Sequence, residues 1–162
     1  MLAAFAGRAP FQVALVVHDL ERAVRDIDGL VGAGPWRGFV FDGTSVQGRE
    51  YHGEPADWSF RVALNDSEPQ LELIQPLAGP SIYRDWLEAR GEGLHHLGYL
   101  VESIADATVQ MAAAGHPAIQ AGHSFGVGRD GAFAYYDTVD ALGFVVEAVE
   151  PPGRMPDPSF RL

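Results

Sequence analysis

The chain has 162 residues, of which 47% are hydrophobic and 20% charged, a balance that suits one compact soluble unit and leaves no run of about 20 apolar residues to cross a membrane. A formal net charge of −11, with eleven basic positions that form no stripe along any predicted element, repels phosphate backbones and argues against nucleic acid as a partner. The absence of cysteine removes disulfides, thiolate catalysis and every cysteine-held metal site, so any metal has to be held by His, Gln, Asn or carboxylates, and a cytoplasmic protein is expected.

Residues 1–10 form a lead-in without the basic start or the length of an export signal. From Phe11 the sequence FQVALVVHDLERAVRDI reads as an apolar strand, a turn with Asp19 as helix cap, and a helix that runs into Gly29, Gly32 and Gly34. Further strands are predicted at roughly Trp36–Phe41 and Ser59–Leu64, with a looser segment around Val46–Tyr51, and a last strand at Leu71–Pro76 completes a βαβββ module over 11–78. Residues 79–93 connect onward through a short helix capped by Ser81. The same order then returns over 94–151: a strand, Ser103 as cap, a helix ending near Gly115, strands at Ala118–Gln120 and Ala132–Tyr136, and a closing strand to Pro151. An offset of 84 places Gln12 on His96 and Asp19 on Ser103; an offset of 75 places Glu72 on Glu147, the second copy having shorter loops. Residues 152–162 form a proline-rich extended tail, clasping a neighbouring surface or free.

Two glutamates stand out, because Glu72 and Glu147 each lie mid-strand with apolar neighbours on both sides. Alternation sets Glu72 beside Ile74, and Glu147 beside Val145 and Val149, on faces that a core or cleft has to receive. A buried lone carboxylate costs several kcal/mol unless it is paired, protonated or metal-bound. Solvent-facing glutamates are the alternative, which repetition at matched positions disfavours. Gln12 and His96 are the other matched pair, each early in the first strand of its copy. One imidazole, one amide oxygen and two carboxylates form a donor set suited to zinc, manganese, iron(II), cobalt or nickel.

The remaining histidines compete weakly. His95 is expected to face away from His96, while His18, His52, His116 and His123 fall in turns or loops. Gly122–Gly131 reads as a lid or a long hairpin loop, with Arg129 available to a substrate anion. Trp58, Phe60, Phe133 and Tyr135 are candidates for an apolar substrate wall, core packing being the expected role of at least half.

The doubled module, its four polar strand positions, and the wording Gly91-Glu92-Gly93-Leu94-His95-His96-Leu97 and Tyr136-Asp137-Thr138 with Leu142-Gly143-Phe144-Val145-Val146-Glu147 resemble the vicinal-oxygen-chelate superfamily over about Phe11 to Pro151. That superfamily includes glyoxalase I, methylmalonyl-CoA epimerase, extradiol dioxygenases and bleomycin-resistance proteins. The resemblance implies an α+β fold in which the two modules curve into a partly open mixed β-barrel around a metal site. It implies one divalent ion at Gln12, Glu72, His96 and Glu147, a homodimer, and a small-molecule substrate. The activity implied is that of a metal-dependent lyase or isomerase of the glyoxalase/epimerase type, with Glu147 as general base.

Two departures shape the reading. Gln12 stands where many relatives carry histidine, which weakens a ring-cleaving dioxygenase reading, and the Ser59–Leu64 strand lacks the glutamate base of the epimerases. Glu50 could supply one only by folding over the site. The alternative from another class is a non-catalytic binding protein that sequesters a hydrophobic or antibiotic-like ligand.

Overall fold

In the computed structural model, which describes residues 1–162, β1 (Gln12–Val16) leads through Asp19 into α1 (Leu20–Val31). The extended Asp19 caps the helix by accepting the Arg22 N–H at 2.8 Å, and Gly32, at φ 65°, ends it in a left-handed turn that β-carbon-bearing residues resist. Then follow β2 (Trp36–Phe41), β3 (Gln47–Tyr51), β4 (Glu54–Pro55), β5 (Ser59–Asn65) and β6 (Gln70–Ala78). The connecting helix α2 (Ile82–Arg90) starts at Ser81, whose hydroxyl accepts the Arg84 N–H. The second copy comprises β7 (Gly93–Leu100), α3 (Ile104–Ala113), β8 (Ala118–Phe125), β9 (Gly131–Tyr136), the short α4 (Val139–Leu142) and β10 (Val145–Glu150). Ser103 caps α3 as Asp19 caps α1. The repeat extends to a detail: Gln75 accepts the first N–H of α1, from Leu20, and its counterpart Glu150 accepts that of α3, from Ile104.

The strands form one mixed, ten-stranded curled sheet in the order β2-β5-β6-β1-β7-β10-β9-β8-β3-β4, a half-barrel with four helices. Within each copy the first and last strands pair in parallel, β1 with β6 and β7 with β10, and the copies meet where β1 and β7 run antiparallel. Strand alternation sorts the side chains. Ala14, Val16, Ile74, Val145 and Val149 turn into the interior with Trp58, Phe60 and Phe133, whereas Leu73 packs with Leu20, Ala23 and Val24 of α1, and Val146 and Ala148 pack with Ile104, Ala107 and Met111 of α3. No helix is long and apolar enough to cross a membrane.

Several local expectations change. The looser segment around Val46–Tyr51 contains a true strand, and β3 leaves its own copy to pair with β8 of the other, Glu50 opposite Ala121 and Tyr51 opposite Gln120. The strand expected at Ala118–Gln120 runs on to Phe125, so Gly122–Gly131 is neither a lid nor a long loop but strand followed by a tight turn, with Gly126 and Arg129 at positive φ. His95 does not face away from His96. The β1–β7 register shifts between Ala14, opposite His96, and Leu15, opposite Leu94, leaving His95 as the extra residue of a bulge, and its ring lies in the interior against Tyr83 and Trp86.

The tail is tied to its own chain. The Val127 N–H donates to the Arg154 carbonyl at 2.9 Å, the Ser159 N–H to Gly38 at 2.7 Å, and the Phe160 ring lies 2.5 Å from where a β-carbon on Gly38 would stand. Arg61 covers that ring at 5.6 Å. Gly38→Val is therefore expected to lift the tail, read as faster trypsin cleavage after Arg154 with the sheet unchanged by circular dichroism; an unchanged cleavage rate would show that the anchor lies elsewhere.

Candidate functional site

Four neighbouring strands bring the matched residues together. β6 lies beside β1, β1 beside β7 and β7 beside β10, so Glu72, Gln12, His96 and Glu147 come from adjacent strands and turn to the same interior face. All four are buried, at 8%, 6%, 0% and 4% exposure respectively, which leaves solvent little part in screening them. The His96 Nε2 lies 3.3 Å from Glu72 Oε2 and 3.2 Å from Glu147 Oε2. Gln12 reaches the same place from the other side of Gly98: a β-carbon on that glycine would stand 3.1 Å from Gln12 Oε1 and 3.0 Å from Glu147 Oε2. Gly98 pairs with Gln12 on one side and Glu147 on the other, so its missing side chain is what lets the two oxygens close in.

The electrostatics follow from the crowding. Burial alone would depress the His96 pKa, but Glu147 and then Glu72 outweigh it and push it up to about 9. Glu72 is raised by burial and by the Glu147 charge against the opposing pull of His96. His95 is held well below the ordinary histidine range by burial and then by the charge of its neighbour, so it stays neutral. Its Nδ1 lies 2.9 Å from the Nδ1 of His96. A neutral His95 accepts the His96 Nδ1–H, which leaves His96 Nε2 directed at the acids.

These residues fit a divalent cation by their chemistry. His96 Nε2 and Glu147 Oε2 are buried with no partner in hydrogen-bonding geometry, two carboxylates supply the compensating charge, and the second imidazole nitrogen is engaged, as it is in metal-ligating histidines. The side chains are drawn onto one another as a compact triad, and no three His, Asp or Glu side chains stand in ready-made ligating geometry. A cation entering there has to part His96 from the two acids.

A cavity of about 160 Å³ opens above the triad, with Gln12, Gln70, Glu72 and Glu147 at its polar end. Of the aromatic candidates, Phe60, Phe133 and Tyr135 line it. Trp58 does not: it is fully buried in the core, its indole N–H bonded to the Glu50 carbonyl. Arg129 is also apart, on a neighbouring groove with its guanidinium on the Thr44 and Ser124 carbonyls, and the Glu50 side chain is exposed on β3. Sequence reasoning missed two supporting residues. Gln70 accepts the Gln12 amide N–H at 2.9 Å and so aims the Gln12 oxygen inward; its place two residues before Glu72, on the same face, was the available signal. His95 was hidden by its bulge, for which the sequence carries no mark.

The chain belongs to the Glyoxalase/Bleomycin resistance protein/Dioxygenase superfamily, whose model matches residues 11–136. No curated protein matches it. Among solved structures, a hypothetical protein from Bacillus halodurans superposes with a TM-score of 0.62 at 18% identity, covering 93% of this chain and 99% of that one. Methylmalonyl-CoA epimerase in complex with methylmalonyl-CoA and ammonium gives 0.59 at 16% identity, covering 92% and 99%. The epimerase from Mycobacterium tuberculosis gives 0.54 at 19%, covering 87% and 86%. At these identities the likeness establishes the fold.

Proposed function

We propose that this protein is a metal-dependent isomerase or lyase that moves a proton on a carbon next to a carbonyl, with Gln12, Glu72, His96 and Glu147 holding one divalent ion. The observation that carries the reading is that His96 Nε2 and Glu147 Oε2, buried at the polar end of the cavity and 3.2 Å apart, have no partner in hydrogen-bonding geometry. When bound, an ion such as zinc, nickel, cobalt, manganese or iron(II) would polarise a carbonyl or enolate oxygen and acidify the neighbouring C–H. Glu147, which lines the cavity and matches the base of the resembled glyoxalases, loosens from the ligand set, takes that proton and returns it to an adjacent carbon, while Gln12, Glu72 and the fully buried His96 stay in place. Apolar walls exclude water from the transfer. Gln70 keeps the Gln12 oxygen directed inward, and His95 keeps the His96 Nε2 free for the site. With Glu72 kept as a ligand, no further carboxylate is at hand as a second base: β5, from Ser59 to Asn65, carries none, and Glu50 is exposed on the far edge, so one glutamate serves both directions of transfer. A homodimer and a cytoplasmic setting belong to the same proposal, supported by the family resemblance and by the absence of cysteine.

Zinc titration by calorimetry, with turnover assays on α-hydroxy ketones, tests the reading. Wild type is expected to bind one ion per chain. Glu147→Gln, whose amide oxygen keeps a donor in place without the charge, is expected to lose about 10–100-fold in metal affinity and, at saturating zinc, about 10²–10⁴ in turnover. Full turnover by Glu147→Gln at normal metal occupancy would remove Glu147 as the base.

One observation favours a second reading, sequestration of an apolar ligand. His96 already lies against both acids, so the site neutralises itself without a metal. A chain that binds no divalent ion yet retains small apolar molecules would decide for it.

A further inference from the structure

We infer that the cavity selects a neutral, compact ligand, a single six-membered ring or an alkyl group of that bulk with its oxygens gathered at one end, and turns away ligands that carry a free carboxylate. The placement of the oxygens rests on the proposed function; the size and charge of the remainder rest on the cavity alone.

Volume comes first. At about 160 Å³ the space matches the roughly 150 Å³ apolar cavity that takes up benzene, so one ring fills it and a fused second ring has to reach out through the mouth toward the groove beyond Phe41, Phe125 and Met155. The walls agree, since Phe41, Phe60, Phe125 and Phe133 present rings to it, with Leu100 and Val149 between. Phe41 stacks on Phe60 at 5.2 Å and meets Phe133 edge-on at 6.4 Å, leaving both ring faces and edges for an aromatic guest. The polar groups, two carboxamides and two carboxylates, share one end, so a guest enters with its oxygens toward Gln12 and Glu147 and its ring among the phenylalanines.

Charge then decides what is excluded. No cationic side chain lines the cavity, and the chain contains no lysine. Arg8, Arg22, Arg37, Arg49 and Arg61 are engaged with acids elsewhere, and Arg129 lies in the groove beyond Phe41, Phe125 and Met155. Without a metal, a carboxylate on the guest would meet the Glu72 and Glu147 carboxyl groups with only the Gln12 and Gln70 amides as possible donors, and would lose its hydration for little return. This separates the chain from the structural neighbour crystallised with methylmalonyl-CoA, whose acyl group carries such a carboxylate.

Calorimetric binding of four probes, each with and without saturating zinc, tests the inference on the wild-type chain. Phenacyl alcohol is expected to bind about 10–100-fold more tightly than hydroxyacetone, which has the same two oxygens and no ring. Its naphthyl analogue should bind at least about tenfold more weakly than phenacyl alcohol, as overpacking would dictate. Methylmalonyl-CoA should show no binding in the absence of zinc. Equal affinity for the ringed and ringless ketones, full affinity for the naphthyl compound, or tight binding of the thioester without zinc each overturns the inference. If the ring preference holds but zinc neither binds nor alters it, the inference stands and the metal-dependent function falls; if zinc binds and the preference is absent, the reverse applies.

Discussion

Replacing His96 with alanine is expected to destabilise the metal-free protein by about 3–5 kcal/mol, because it strands two carboxylates in the interior with no cation between them. Glu72 and Glu147 both contact the same imidazole nitrogen, and neither has appreciable access to water. The pH dependence has a definite sign. The His96 pKa, with burial opposing and the two acids prevailing, stands at about 9 against an unperturbed 6.5, so its contribution is complete below about 6.5 and fades as pH rises through 9. Glu72, raised by burial, acts in the same direction at lower pH, since the folded state holds its proton more tightly than the unfolded chain does. Urea unfolding at pH 6 and pH 10 reads the His96 effect: the gap between wild type and His96→Ala should be large at pH 6 and much reduced at pH 10. A difference under about 1 kcal/mol at pH 6 would mean that the acids find relief elsewhere. Metal affinity should fall by far more than the roughly 10–100-fold typical of an outer contact, because the only nitrogen donor is lost.

Gly98→Val should act the other way round, disabling the site while sparing the fold. Its β-carbon would arrive about 3 Å from the oxygens of both Gln12 and Glu147, so one of them has to turn aside. Valine is the better strand former, and Gly98 lies in the middle of β7, so backbone preference offsets part of the crowding. The expected result is a loss of about 100-fold or more in zinc affinity with a melting temperature within a few degrees of wild type. Wild-type zinc binding by this variant would place the ion away from Gly98, and with it away from Gln12 and Glu147.

The duplication made the site legible. Two polar residues recurring at fixed offsets in apolar strands named Gln12, Glu72, His96 and Glu147, and period-two alternation chose the face to which each turned, since Ile74, Val145 and Val149 share the interior with their neighbouring acids. The helix caps Asp19, Ser81 and Ser103 were readable for the same reason, because capping is a local hydrogen bond with a local sequence signature. What escaped was non-local. The pairing of β3 with β8 is chosen by which edge lies free once the sheet has curled, and nothing in Gln47–Tyr51 states it. The bulge at His95 is a register shift against β1, visible only when both strands are in place. The cavity lining draws Phe11, Phe41, Phe125 and Met155 from distant parts of the chain, whereas Trp58, equally aromatic, ends in the core.

The strand that changes sides has a thermodynamic consequence. With Gln47–Tyr51 hydrogen-bonded along the outer border of the opposite copy, and β1 and β7 zipped at the centre, the halves are stitched at two places far apart on the sheet. Melting either half breaks hydrogen bonds that the other half supplies at both places, so heat or denaturant is expected to meet one all-or-none transition in a chain whose repeat would otherwise invite two, read as coincident melts by circular dichroism and tryptophan fluorescence. The two copies are not autonomous, and the junction between them, where Gln12, Glu72, His96 and Glu147 gather, is the part held until the whole gives way.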